Sequence, residues 1–85
     1  MTKLTLFTKP GCHLCDDMKL IVANVKNDPA LEIDMEEINI EISRDIFEKY
    51  KEKIPVLFIE GKMFAKFRLD EQKLRRKIQT TNKHI

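Results

Sequence analysis

Leu4 and Leu6 alternate with polar neighbours from Lys3 to Thr8 and run on into Phe7, which predicts a short central strand. The period then changes. Leu14, Met18, Ile21 and Val25 recur at helical spacing, so a helix is predicted from Cys12 to about Lys26, where Asn27-Asp28-Pro29 stops it. Between the two patterns, Pro10 offers no ladder donor and Gly11 relaxes backbone sterics, which makes a turn. From Leu31 to Ile40 alternation returns as Leu31, Ile33 and Met35 among acids, then Ile38 and Ile40, predicting a second strand that ends near Asn39. Ser43 is placed to cap a short helix with Ile46, Phe47 and Tyr50 facing inward and Arg44, Glu48, Lys49 and Lys51 facing water.

Lys53-Ile54-Pro55 ends that helix, and the unbroken apolar run Val56 to Ile59 predicts a strand buried on both faces. Glu60-Gly61 supplies a two-residue hairpin turn into Lys62 to Lys66, an edge strand with charge at both ends. Asp70 is placed as N-cap of a last helix, with Leu69 and Leu74 as a hydrophobic staple and Leu74 and Ile78 as its buried stripe. The polar stretch Thr80 to Ile85 reads as frayed, with His84 in it of no consequence. The order β-α-β-α-β-β-α implies an α/β fold: a right-handed crossover between parallel strands, a hairpin added antiparallel, and a four-stranded mixed sheet flanked by helices.

Composition narrows the function. With 85 residues, 42% of them hydrophobic, residues 1–85 are expected to form one small domain around one core. Neither a signal-peptide apolar region nor a run near the ~18 residues of a membrane span is present, so a cytoplasmic protein with no membrane partner is expected. The net charge of +2 hides an asymmetry, since residues 32–52 carry eight acidic and three basic side chains while 62–85 carry eight basic and two acidic. A solvated surface with cations near the end of the last helix accounts for it; steering of an anionic partner is the alternative. Nucleic-acid binding through Lys73, Arg75, Arg76 and Lys77 is not expected, because one short basic helix without an aromatic platform is a poor footprint.

Both cysteines, Cys12 and Cys15, lie in the stretch Thr8-Lys9-Pro10-Gly11-Cys12-His13-Leu14-Cys15, where strand gives way to helix. A pair this close is no structural staple in a reducing compartment, which leaves redox chemistry or metal binding. Cys12 at the helix start meets unpaired N–H groups and the positive end of the helix dipole, so its thiolate is favoured relative to a free thiol of pKa ~8.5. Lys9 and a protonated His13 add to that effect. Asp16 opposes it, although Asp16 and Asp17 equally complement the helix dipole. Cys12 is therefore the candidate nucleophile. Cys15, one turn on and on the same helical face, is the candidate resolving thiol.

These residues resemble the glutaredoxin branch of the thioredoxin-fold superfamily, and most of all its small glutaredoxin-like proteins. The likeness rests on Thr8-Lys9-Pro10 leading into Cys12-His13-Leu14-Cys15 and on Ile54-Pro55-Val56 before the third strand, and it extends from about Lys3 to Ile78. The resemblance implies a cis Pro55 against the cysteine pair, with the backbone of Ile54 free to pair with an extended thiol substrate. It also implies that Lys9, His13, Ile54 and Pro55 form the substrate surface. Two positions depart from glutathione-using relatives. His13-Leu14 replaces Pro-Tyr, and Met63 to Asp70 contains no glycine pair before the last helix, so that Asp70 is either the remaining glutathione-binding acid or a plain N-cap.

The resulting expectation is a monomeric thiol-disulfide oxidoreductase acting on protein or small-molecule disulfides, with no resident cofactor or metal. Glutathione is a candidate co-substrate, and the thiol reductant is left open. Two other classes stay in view. A metal or iron-sulfur protein would need ligands beyond two thiolates and one histidine, from a dimer or an outside thiol. A redox-silent thioredoxin-fold module would bind through the groove beside Pro55. Phe7, Phe47, Phe58 and most methionines are read as core, and Phe64 and Phe67 as edge residues that pack or face a partner.

Overall fold

The computed structural model describes residues 1–82. Strands β1 (Thr2–Thr8), β2 (Ile33–Asn39), β3 (Val56–Ile59) and β4 (Lys62–Lys66) alternate with helices α1 (His13–Lys26), α2 (Arg44–Tyr50) and α3 (Glu71–Asn82) in the order β-α-β-α-β-β-α. One mixed sheet runs β2-β1-β3-β4. β1 and β2 pair in parallel from Thr2 with Ile33 to Thr8 with Asn39, whereas β3 pairs antiparallel with both β1 and β4.

Strand parity divides the core. Leu4 and Leu6 of β1 and Leu57 and Ile59 of β3 face α1 and α3, where they join Met18, Val22, Val25, Leu74 and Ile78 in the larger cluster. Phe7, Val56 and Phe58, on the alternate parity, face Ile40, Ile46, Phe47 and Tyr50 of the α2 side. The Phe7 ring stacks on Tyr50 with centroids 4.4 Å apart, and both meet Phe58 edge-on. The apolar run of β3 is thus explained, since each of its two parities has its own cluster to fill. Burying one such side chain stabilises by roughly 1.5–3 kcal/mol.

Turn chemistry follows the sequence in most places. Glu60 (φ 51°) and Gly61 (φ 81°) both take left-handed backbone, as a tight hairpin turn requires. The Asp70 carboxylate accepts the N–H groups of Gln72 (2.9 Å) and Lys73 (3.2 Å), which makes it the expected N-cap. Leu69 packs on the cluster that holds Leu74.

Two expectations need correction, at Ser43 and in the C-terminal tail. Ser43 occupies the N-cap position of α2 in extended backbone, but its side chain makes no capping hydrogen bond. The second strand ends at Asn39, as expected: the Asn39 side chain accepts the Glu41 N–H at 2.8 Å and starts a 3-10 turn over Ile40–Ile42. The tail is not frayed from Thr80. Helix α3 continues to Asn82, with the Thr80 and Thr81 hydroxyls donating to the carbonyls of Arg76 and Lys77 at 3.0 Å each. His84 lies outside the described residues.

Candidate functional site

The C-terminal end of β1 delivers the cysteines. Thr8, buried among the sheet residues, is followed by Lys9-Pro10-Gly11, which reverses the chain. Gly11 has φ +75°, and a Cβ there would meet nothing within 4 Å, so the backbone angle rather than crowding calls for glycine. Cys12 is then the N-cap of α1 in extended backbone (φ −103°, ψ 110°). Its sulfur accepts the N–H of Cys15 at 3.1 Å, and its carbonyl accepts the N–H of Asp16 at 3.1 Å. Sulfur here fills the capping role usually taken by a serine or aspartate oxygen. Cys12 and Cys15 are joined as a disulfide, with Cα atoms 5.2 Å apart. Cys15 is fully buried, while Cys12 retains partial exposure.

The Ile54–Pro55 peptide bond is cis, and Pro55 is buried. Register fixes its place: Val56 pairs with Phe7, so Pro55 sits at the end of the sheet where β1 runs out toward Cys12. Among the described residues neither the N–H nor the C=O of Ile54 has a backbone partner, whereas the Pro55 carbonyl accepts the N–H of Phe67 at 2.7 Å. The Ile54 side chain packs on the α2-side cluster. Lys9 and His13 are exposed on the loop and at the first residue of α1. Asp16 is solvent-facing and lies 3.9 Å from Lys19.

Residues 3–79 match the family described as glutaredoxin-like domain (DUF836). The chain belongs to that family. A curated relative, the glutaredoxin-like protein YDR286C homolog of Dictyostelium discoideum, is 38% identical over 81 residues, 91% of this chain and 75% of that protein. Among solved structures, protein Ne2328 of Nitrosomonas europaea superposes with a TM-score of 0.73 at 26% identity over 91% of each chain. A point-mutant thioredoxin from Halobacterium salinarum superposes with a TM-score of 0.69 at 18% identity over 99% of this chain and 77% of that one, a likeness of fold. The chain thus has the thioredoxin fold, and family together with the Cys12–Cys15 pair supports thiol redox chemistry in general.

Two clefts flank the glutaredoxin-like dithiol. One, of about 240 Å³, is polar and lined by Thr8, Lys9, Pro10, Asp16, Lys19, Glu37 and Asn39. In it the Thr8 hydroxyl donates to Glu37 at 2.8 Å, and Lys19 pairs with the same carboxylate at 3.1 Å. Glu37 was not among the residues the sequence singled out. Its signal is a break in parity: the β2 positions beside Thr2, Leu4, Leu6 and Thr8 read Ile33, Met35, Glu37, Asn39, turning polar toward the site. The other cleft, about 230 Å³, lies between Leu14, Asp17, Met18 and Ile21 of α1 and the segment Phe67-Arg68-Leu69.

No group of three or more His, Cys, Asp or Glu side chains converges as a metal site among the described residues. No helix among them is long and apolar enough to cross a membrane. The basic face of α3 is smaller than its sequence indicates, because Arg75 is engaged by Asp28 at 2.8 Å and by Glu71 at 2.9 Å.

Proposed function

We propose that this protein is a thiol-disulfide oxidoreductase in which Cys12 is the nucleophile and Cys15 the resolving thiol. The observation that carries the reading is the asymmetry of the pair: Cys12 is partly exposed at a helix start with its sulfur accepting an N–H at 3.1 Å, and Cys15 is buried one turn behind it. A thiolate at Cys12 receives that N–H as a charge-assisted bond and faces the positive end of α1. In the reduced protein the Cys12 thiolate attacks one sulfur of a substrate disulfide. A mixed disulfide forms, and the other substrate sulfur leaves as a thiolate that takes a proton from water. Cys15 then loses its proton and attacks the Cys12 sulfur, which expels the second substrate thiolate. Two electrons have passed from the protein dithiol to the substrate, leaving the Cys12–Cys15 disulfide. An external thiol donor, with glutathione one candidate, returns two electrons.

The unpaired backbone of Ile54 beside the cis Pro55 offers one donor and one acceptor to an extended substrate, and Lys9 and His13, exposed on either side of Pro10-Gly11-Cys12, are assigned to the same substrate surface. The partners are protein or small-molecule disulfides, met by a monomer in a reducing cytoplasm.

The test is trapping with single-cysteine variants and hydroxyethyl disulfide. Cys15→Ser should accumulate a mixed disulfide at Cys12, seen by mass spectrometry, and alkylation of Cys12 in that variant should have a pH midpoint below the ~8.5 of a free thiol. Cys12→Ser should form its adduct at least about tenfold more slowly, since only the buried sulfur remains. Faster reaction at Cys15, or a Cys12 midpoint at or above the free-thiol value, would overturn the assignment.

A further inference from the structure

The wall opposite α1 is built by a residue whose backbone is unusual for its side chain. Phe67 has φ +70°, a left-handed conformation that bulky residues rarely adopt. It is held there from both sides: its N–H donates to the Pro55 carbonyl at 2.7 Å, and the Arg68 N–H closes a γ-turn around it onto the Lys66 carbonyl at 2.8 Å. A glycine would take this angle freely, yet an aromatic ring stands here and is not buried by it, remaining 39% exposed. Leu14, between the two cysteines, is likewise 37% exposed on the facing wall. Met18, a side chain that adapts to what packs on it, is buried and lines the same cleft.

We propose that this cleft selects protein disulfides in which a bulky apolar residue adjoins the attacked cysteine in an extended segment. The proposal rests on the redox reading above and names the substrate class of the same site. Three features favour that occupant. The cleft adjoins the chemistry: one wall is the face of α1 that begins at Leu14, between the two cysteines, and the other carries Phe67, whose N–H is bonded to Pro55, next to the unpaired Ile54 backbone that an extended peptide would use. Its volume of about 230 Å³ is below the roughly 300–1,000 Å³ of small-molecule sites and suits one large side chain. Five of its seven lining residues, Leu14, Met18, Ile21, Phe67 and Leu69, are apolar, and Asp17 and Arg68 complete it. Glutathione, whose cysteine is flanked by a γ-linked glutamate and a glycine, carries nothing to fill it. Phe67 is then a specificity-determining residue.

The experiment compares two peptide disulfides that differ only in Phe or Ser next to the cysteine, each mixed with the reduced wild-type protein, with second-order rate constants read by acid quench and mass spectrometry. The Phe peptide should react on the order of tenfold faster. In Phe67→Gly, which keeps the φ +70° backbone without strain, the ratio should fall to about one. Equal rates for the two peptides in the wild type, or a ratio retained in Phe67→Gly, would overturn the cleft while leaving the dithiol chemistry standing. If neither disulfide reacts, the redox reading fails instead, and the cleft is judged by NMR titration of Cys12→Ser with the two reduced peptides. Amide shifts at Leu14 and Leu69 with the Phe peptide alone sustain it; their absence ends it.

Discussion

Arg75 clasps the end of α1 to α3. Its guanidinium donates to Asp28 through Nη1 at 2.8 Å and to Glu71 through Nε at 3.0 Å and Nη2 at 2.9 Å. Asp28 also organises the turn into β2, accepting the Ala30 N–H on its other oxygen at 2.9 Å and the Leu31 N–H on its carbonyl at 3.0 Å. The three side chains are 27%, 31% and 38% exposed, which sets the magnitude. Fully exposed pairs contribute about 0–1 kcal/mol and breaking a buried pair costs about 3–5. A half-buried fork falls between, so Arg75→Ala should destabilise by about 1–2 kcal/mol. For a chain of 85 residues the unfolding entropy is about 180 cal/mol/K, so Tm should fall by about 6–11 °C. Thermal unfolding followed by circular dichroism reads this directly. Arg75→Lys keeps the charge but not the planar fork and should recover less than half of the loss. Asp28→Asn keeps an acceptor for Ala30 while removing the charge, and in a double-mutant cycle with Arg75→Ala it should show coupling of about 1 kcal/mol. A fall in Tm below about 2 °C, or one abolished in 1 M salt, where the Debye length is about 3 Å, would show an ordinary surface pair and refute the reasoning.

Thr8→Val preserves shape but removes the hydroxyl that donates to Glu37 at 2.8 Å; it should cost about 1 kcal/mol in denaturant unfolding, and an unchanged midpoint would show that Lys19 alone satisfies the carboxylate. The two predicted helix caps should separate cleanly. Asp70→Ala should lose about 1 kcal/mol because its carboxylate holds two N–H groups of α3, and Ser43→Ala should lose no more than about 0.3 because its side chain holds none; equal losses would contradict the geometry.

What the sequence made legible was periodicity and breaks in it. The shift from the alternation of Leu4 and Leu6 to the helical spacing of Leu14 and Met18 marks the strand-to-helix junction, and Pro10-Gly11 between them marks the turn. The run Val56 to Ile59 announces burial on both faces, and two clusters provide it. Ile40 and Ile42 carry the alternating parity past the strand, which nevertheless ends at Asn39 as expected because of a local competitor. The Asn39 amide captures the Glu41 N–H and turns the chain before the ladder extends. Arg75 was legible as a charge but not as a clasp, since its partner Asp28 is 47 residues away. Phe67 was the hardest residue to read. Its side chain favours strands, while its conformation is imposed from outside by the Pro55 carbonyl and the γ-turn at Arg68, and no local pattern records either.

The roles of the two cysteines follow from the same periodicity. The buried stripe of α1 is Cys15, Met18, Val22 and Val25, so Cys15 is the first member of the face that packs on the sheet. Cys12 precedes that stripe by three residues, the spacing that brings two side chains to one helical face, yet it falls on the cap, where the backbone is still extended. The sulfurs therefore meet while their surroundings differ, one in the core and the other at the mouth of the site. A pair moved one residue toward the C-terminus would lose both features: the second thiol would turn about 100° away from the core, and the first would become a helical residue with its sulfur no longer placed to accept a first-turn N–H. Inserting one residue between Cys12 and His13 should preserve the helix and its packing but separate the cap from Cys15. Dithiol turnover with hydroxyethyl disulfide should then fall by far more than stability does; a parallel loss of both would show that the site and the fold are not separable in this way.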